Sequence, residues 1–375
     1  LINGKNFNSE LPKTRILVAP LDWGLGHATR CIPIINELIS QNCEVLIAAS
    51  GNSYFLLKKE FPSLLILRIS SYKITYSGSG GSLVIKLMLQ IPKIIFSILK
   101  ENHWIKKNIK KYKIDAVISD NRFGMYNRKV PSVYITHQLL IKTKNRFSEK
   151  IVQKIHYYFI KKYKFCWVPD WSENGLAGDL SHQENRPFNV LYIGPLSRFE
   201  LLKDLPEKYE VLISISGPEP QRTIFEREIL FQLKSLNKNI LLIRGLPNET
   251  KDLLPDNASI KILNHLPADE LNKAFQQSKI IISRSGYTTV MDLVKLGKNA
   301  VLVPTPGQTE QEYLASYLMG KKFFYSVEQD KVSIKKVMEN ALTFQISNAT
   351  SCMNSYKNVI CEFVLSLKSG KFKNQ

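Results

Sequence analysis

Apolar, β-branched runs alternate with helix-period segments along nearly the whole chain, and this alternation constrains the fold more than any other feature. Strand-like runs lie at 15–19, 43–49, 64–69, 114–119, 132–136, 165–168 and 190–193. A helix is predicted over 27–39, where Cys31, Ile34, Ile35 and Leu38 share one face. The pattern breaks at 194–207 (GPLSRFELLKDLPE), with two prolines and mixed charge, as interdomain linkers do. It then restarts, with strands at 211–216, 240–243, 260–263, 280–283, 300–303 and 323–325. Helices are expected at 221–233, 268–276, 287–296 and 310–319, and the segment from 332 to about 368 reads as helix. Continuous apolar strands separated by helices need crossover connections, so the sheets should be parallel and covered on both faces. The expectation is an α/β chain with a first domain over 1–195, a second over 196–345, and a C-terminal helix in 346–375 packing back on the first. Two domains also suit 375 residues.

The net charge of +20 is unevenly spread. Residues 83–165 hold 19 Lys and Arg against four Asp and Glu, leaving little for the rest of the chain. Within this block, 83–99 (LVIKLMLQIPKIIFSIL) is apolar but carries Lys86, Lys93 and Pro92. It is shorter than the roughly 20 clean apolar residues of a membrane span. A helix lying on an anionic membrane surface is expected, followed by the basic run Lys106, Lys107, Lys110, Lys111 and Lys113. The alternative is a core helix beside a solvated lysine face. No nucleic-acid motif accompanies the charge, so no nucleic-acid partner is expected. Five scattered cysteines, without metal-ligand spacing, read as reduced thiols of a cytoplasmic protein, and the first residues show no secretory signal. A glycine-rich loop is expected at 77–82.

Six turns after strands carry the candidate chemistry. The first is PLDWGLGHATR, residues 20–30. Gly24 and Gly26 let the backbone turn tightly and approach a ligand. Thr29 stands where a dinucleotide fingerprint has its third glycine, and the second strand ends in Ala49-Ser50 without an acidic residue, which argues against NAD or FAD. His27 falls at a helix N-terminus, whose dipole favours the neutral ring, a usable general base. Asp120 and Arg122 follow the strand at 114–119, and His137 and Gln138 follow the strand at 132–136. All four should share a sheet edge with His27, to bind an acceptor or orient the base.

In the second half, Ser216 and Gly217 precede a helix start bearing Arg222. Ser283-Arg284-Ser285-Gly286 opens another helix, placing free N–H groups at a positive dipole end, which suits a diphosphate. Asp292 could reach ribose hydroxyls, and Gln311 and Glu312 could reach a sugar. No DxD pair, HExxH or CxxC is present, so no metal or cofactor is expected, and a leaving diphosphate would rest on helix dipoles and basic side chains.

The order Gly-Leu-Gly-His-x-x-Arg, Ser-Gly turn, RSGYTTVMD and PTPGQTEQEYLA resembles the two-domain GT-B glycosyltransferases related to the cell-wall enzyme that adds N-acetylglucosamine to lipid-linked muramoylpentapeptide. The closer match is the C-terminal domain, of the glycosyltransferase family 28 type, over about 210–325. The resemblance implies two Rossmann-like domains facing each other across a cleft, and inverting, metal-independent transfer from a UDP-sugar. It places Ser285 and Gly286 by the diphosphate, next to Arg284 of the same turn as a donor-side residue, and the backbone from Leu266 to Ala268 at the base. Asp292 stands where the family has a ribose-contacting glutamate. Gln311 matches a sugar-contacting glutamine, and Glu312 replaces a second one; a carboxylate accepts sugar hydrogen bonds but cannot donate them. The implied acceptor is lipid-linked or a glycan, and the implied location is the inner face of the cytoplasmic membrane. The Gly-x-Gly-His-x-x-Arg turn followed by Cys also resembles nucleotide-sugar hydrolases of nonulosonic acid biosynthesis, where water is the acceptor. A non-catalytic scaffold at a membrane surface is the third reading.

Overall fold

The computed structural model describes residues 13–72, 83–143, 145–251, 253, 257–344 and 353–372, and among these the side chains of 92 onward in the helix that begins at Leu83. The predicted loop at 77–82, and Cys352, lie outside the described residues.

The first sheet runs β3-β2-β1-β4-β5-β6-β7, from β1 (Arg15–Pro20), β2 (Glu44–Ala49), β3 (Leu65–Arg68), β4 (Ala116–Asp120), β5 (Ser132–Ile135), β6 (Phe165–Val168) and β7 (Val190–Tyr192). The second runs β10-β9-β8-β11-β12-β13, from β8 (Tyr209–Ser214), β9 (Ile240–Ile243), β10 (Ile260–Leu263), β11 (Ser278–Ser283), β12 (Ala300–Leu302) and β13 (Tyr325–Ser326). Every pairing is parallel, so each connection crosses a face of its sheet. Strand order reverses direction beside β1 in the first sheet and beside β8 in the second. The chain thus forms two Rossmann-like α/β domains, as the alternation required.

Helices α1 (Leu25–Ser40), α5 (Gln221–Leu233), α6 (Ala268–Gln276), α7 (Tyr287–Leu296) and α8 (Thr309–Gly320) follow strands as expected. Two helices went unpredicted: α2 (Gly51–Glu60) and α4 (Arg146–Ile160). The first has a weak apolar stripe, and the second buries only His156 and Ile160, leaving its apolar residues outside. The apolar stretch at 83–99 belongs to a longer helix, α3 (Leu83–Tyr112), which runs through Pro92. Ile105 and Ile109 pack on Leu17, Leu46 and Val117 of the first sheet, whereas Ile95, Phe96 and Leu99 face outward. The core reading therefore holds for the inner face of this helix, and its described outer face is apolar and exposed. The last segment is not one helix: α9 (Ile334–Thr343) packs on the second domain and α10 (Ser355–Lys368) on the first.

A single apolar cluster continues from Ile16 and Ile34 of the first domain, through Tyr287 and Met291 of α7, to Leu241 and Leu302 of the second. Helix α10 joins it with Ile360, Phe363 and Val364, the Phe363 ring meeting Trp167 edge-on at 5.4 Å. Each such buried side chain contributes about 1.5–3 kcal/mol. The described cysteines Cys31, Cys43, Cys166 and Cys361 are free thiols.

Candidate active site

The carboxyl ends of both sheets open toward each other, and the sequence-predicted turns sit at the two positions where strand order reverses. In open parallel sheets ligands bind at such crevices. In the first domain, β1 pairs with β4 so that Pro20 lies beside Asp120. The chain leaves β1, turns at Gly24 with φ of 101°, and starts α1 there without a side-chain cap. His27 therefore falls in the first turn of α1, above the end of β4.

Asp120 is fully buried. One carboxylate oxygen lies 2.6 Å from His27 Nδ1 and 2.6 Å from Arg30 Nη2, and the other accepts from Arg30 Nε. An oxygen that close to Nδ1 requires the proton on Nδ1, donating to the carboxylate, because two lone pairs would repel. The His27 Nε2 lone pair is then left for the cleft, where the ring is 17 % exposed. Burial pushes the Asp120 carboxyl up, but Arg30 and His27 outweigh it and hold it below the ordinary range. Burial likewise weakens the Arg30 guanidinium, and Asp120 more than restores it.

The chain of polar contacts continues into the second domain. Arg30 Nη1 donates to His137 Nδ1 at 2.9 Å, which fixes the proton of that ring on Nε2. His137 Nε2 donates to Glu310 Oε1 at 2.7 Å, and the Gln138 amide donates to the other Glu310 oxygen. The His137 ring stacks on Tyr287 with centroids 4.3 Å apart, and the Tyr287 hydroxyl donates to Pro169 O at 2.9 Å. Burial holds His137 below its ordinary value, hence neutral. Burial pushes Glu310 up, but the contact with His137 and the nearby His27 and Arg30 together outweigh it and hold the carboxyl below its ordinary range. The cluster thus holds two carboxylates against one guanidinium, and a proton arriving on His27 would neutralise it.

On the second domain, Gly217 has φ of 113° after β8 and is exposed, with a half-buried Ser216 before it. A side chain at Gly217 would meet Thr305 Oγ1 at 3.5 Å, and that hydroxyl is buried without a partner among the described residues. Gly286 caps α7 with open space around it and no side-chain cap, so the first-turn N–H groups of α7 remain free for an anion. The two helix starts approach closely: Thr288 Oγ1 donates to Gly26 O at 3.0 Å, and a side chain at Gly26 would crowd Thr288 at 3.3 Å. Gln311 Oε1 accepts from Thr305 N at 2.9 Å, shaping the loop before α8, and the exposed Glu312 accepts from Gly307 N at 2.8 Å. Leu266 is partly buried at the loop before α6.

Several expected ligand contacts are instead committed to the protein itself. Arg284 is buried over the Phe225 ring at 4.1 Å and donates to Gln329 Oε1 at 2.7 Å, behind the turn. Arg222 pairs with Glu219 at 2.6 Å and Glu226 at 2.9 Å. The Arg222 guanidinium is thus fully engaged within the protein, whereas Arg284 Nε is buried without a partner among the described residues. The Ser285 hydroxyl donates to Gln311 O at 2.8 Å, leaving only the backbone of this turn for a ligand. Asp292 is not an open acceptor: it takes the Ser197 hydroxyl at 2.7 Å and faces Arg198 at 3.5 Å, holding the interdomain linker. Arg122 binds Glu101 at 2.6 Å, Pro20 O and Ser50, and so braces the floor of the first domain rather than its mouth. Their neighbours were polar turns, where sequence alone cannot tell an inward side chain from an outward one.

Arg30, Tyr287 and Glu310 were missed as site residues. Arg30 lies three positions after His27 and so shares its helix face, which was a readable signal. Glu310 looked like an ordinary first-turn acid of α8, and only the closeness of the domains shows its partner.

Residues 221–366 match the family model described as the glycosyltransferase family 28 C-terminal domain. The chain is 24% identical over 355 residues to an uncharacterized glycosyltransferase of Methanosarcina acetivorans, covering 87% of this chain and 90% of the relative. It is 22% identical over 377 residues to the UDP-N-acetylglucosamine--N-acetylmuramyl-(pentapeptide) pyrophosphoryl-undecaprenol N-acetylglucosamine transferase of Wigglesworthia glossinidia brevipalpis, covering 90% and 93%. Among solved structures, the glycotransferase of kitacinnamycin superposes with a TM-score of 0.61 at 13% identity, covering 95% of this chain and 96% of that one. Matched domain, near full-length coverage and two facing α/β domains together make this chain a glycosyltransferase of GT-B fold with a C-terminal domain of the family 28 type.

Proposed function

We propose that the protein is an inverting, metal-independent transferase that moves a sugar from a UDP-sugar, N-acetylglucosamine being the first candidate, to a lipid-linked acceptor. The observation that carries this reading is the His27–Asp120 contact at 2.6 Å, with His27 Nε2 open to the cleft opposite the uncapped start of α7. The donor diphosphate lies over the first turn of α7 and against Gly217, with Gln311 and Glu312 near the sugar. The acceptor hydroxyl loses its proton to His27 Nε2 as its oxygen bonds to the anomeric carbon from the face opposite the diphosphate. The bond from that carbon to the β-phosphate oxygen breaks, and its electron pair leaves on the phosphate, beside the α7 N–H groups. Asp120 steadies the imidazolium through Nδ1–H, and Glu310 keeps the surrounding cluster ready for that charge.

A lipid-linked acceptor is supported by the name of the Wigglesworthia relative and by the outer faces of two helices. Ile95, Phe96 and Leu99 of α3 are exposed, and so are Phe147, Ile151, Ile155 and Tyr158 of α4, spaced to share one helix face. Ile94 and Ile98 of α3 pack with Phe159 of α4, which sets the two helices side by side. Among the described residues no helix is long and apolar enough to cross a membrane. We place these faces on an anionic membrane surface, in the same domain as His27.

The test incubates the protein with labelled UDP-N-acetylglucosamine, with and without a membrane lipid extract. Movement of label into the organic phase that depends on the extract and vanishes in His27→Ala is expected. Rapid release of free sugar without extract would replace this reading by the hydrolase one.

A further inference from the structure

We propose that the first domain carries a second anion site, a cavity that binds a phosphate-bearing group and lies apart from the cleft. The cavity measures about 700 Å³, within the range of small-molecule sites. Its walls come from α3, from the loop after β4, and from the end of α4. Lys106, Lys110, Arg128, Lys129, Lys161 and Lys162 line it, and no carboxylate does among the described residues.

Like charges gathered around one hollow repel one another, so such an arrangement is stabilised by a ligand of opposite sign. The hollow is held open by specific contacts. Asn102, buried on α3, donates through its amide to Gly124 O at 3.1 Å and Tyr126 O at 3.0 Å, pinning the loop that carries Arg128 and Lys129. Lys162 sits over the Tyr126 ring at 5.4 Å and the Tyr158 ring at 4.3 Å, so its ammonium is drawn to aromatic faces on both sides of the cavity edge. Asn127 Oδ1 takes the Lys129 N–H at 2.7 Å and fixes the turn itself. Ammonium and guanidinium groups around one hollow, with an amide and a phenol at its edge, match phosphate oxygens.

This site is separate from the transfer chemistry: none of its lining residues touches His27, Asp120 or Glu310. The same phosphate chemistry is offered by a soluble diphosphate and by a lipid head group, and Tyr158, shared with the exposed face of α4, adjoins both routes.

The experiment uses the full chain and a triple variant, Lys106→Gln, Arg128→Gln, Lys162→Gln, whose thermal midpoint serves as the check on folding. Binding of inorganic pyrophosphate is measured by calorimetry with the cleft saturated by UDP. Co-sedimentation is measured separately with phosphatidylcholine vesicles, with and without phosphatidic acid. Each cation near an anionic surface is worth about fivefold, so the triple variant should bind about 100-fold more weakly. Loss in the pyrophosphate arm alone assigns a soluble ligand, loss in the phosphatidic acid arm alone assigns a lipid head group, and loss in both assigns the site to either source. Equal binding by the folded triple variant in both arms, or binding in neither arm by the parent chain, overturns the proposal. If UDP fails to bind, pyrophosphate sensitivity to the triple substitution still decides this site independently of the donor.

Discussion

Glu310 Oε1 of the second domain accepts from His137 Nε2 of the first at 2.7 Å, and this contact ties the start of α8 to the Asp120–Arg30 pair beneath His27. Glu310→Ala would leave the His137 N–H and the Gln138 amide unpaired at the domain boundary. The expected cost is about 1–3 kcal/mol of stability, read from chemical denaturation. Glu310→Gln, which still accepts from His137, should retain most of it. An alanine variant as stable as the parent chain would show that the contact is incidental.

His27→Ala is expected to lower turnover by about 10²–10⁴ while leaving nucleotide affinity nearly intact, because the ring acts on the acceptor proton. Asp120→Asn keeps the shape but can accept only through one oxygen, and it leaves buried Arg30 without its counter-charge. This variant should lose both turnover and stability. Single-turnover kinetics alongside nucleotide titration separates the two effects; collapse of nucleotide binding in His27→Ala would move His27 to the donor side.

Asp292→Ala is expected to destabilise the chain by about 3–5 kcal/mol, since Arg198 would remain largely buried without its partner. Asp292→Asn, which still accepts from Ser197, should lose less. Unfolding midpoints measured with and without UDP also reveal whether the carboxylate touches a ribose: a ligand contact makes the UDP-induced rise smaller in the variant.

Acid should weaken the fold between about pH 6.5 and 4. His156, buried against Phe123 and Tyr134, falls from the ordinary 6.5 to about 4 through burial. His265 falls to about 4 through burial and then through Arg198 and Lys59. Both folded values lie below the unfolded one, so in this window the unfolded chain binds more protons and stability rises with pH. Below it the depressed Asp120 and Glu310 continue the same trend. His156→Phe should flatten part of the slope between pH 6.5 and 4, as measured by urea unfolding at a series of pH values.

Phe363→Ala is expected to cost about 3–5 kcal/mol, because the ring fills the space against Trp167 and Phe165 and its loss opens a cavity. A loss well under 1 kcal/mol would mean that α10 is only loosely docked.

The parallel sheets were legible because strand stretches such as Ile16–Ala19 and Ile280–Ile282 are apolar throughout, as burial on both faces demands. The closeness of His27 and Asp120 was legible because Asp120 ends one strand and His27 opens the helix after its neighbour, and parallel strands bring such ends to one edge. The protein partners of Arg222, Arg284 and Asp292 were not legible, because a charged residue near a glycine turn reads the same whether it faces a ligand or the protein. Arg222 pairs with Glu226 one turn along its own helix, while Gln329 and Ser197, the partners of Arg284 and Asp292, come from other elements. Glu310 escaped notice since its partner His137 is 173 positions away in another domain. Helix α4 was obscured because its apolar residues point outward, the reverse of the pattern that marks a core helix.

The return of α10 to the first domain gives the chain two crossings between its halves. The first is the linker around Ser197, and the second lies between α9 and α10, where Ser355 Oγ donates to Ile193 O at 2.9 Å beside the end of that linker. Two tethers anchored close together act as the pins of a hinge: they leave rotation about the line through them and suppress twisting and sliding. Any opening of the cleft then calls for a swing along one arc, and the edge of the cleft farthest from Ile193 travels furthest.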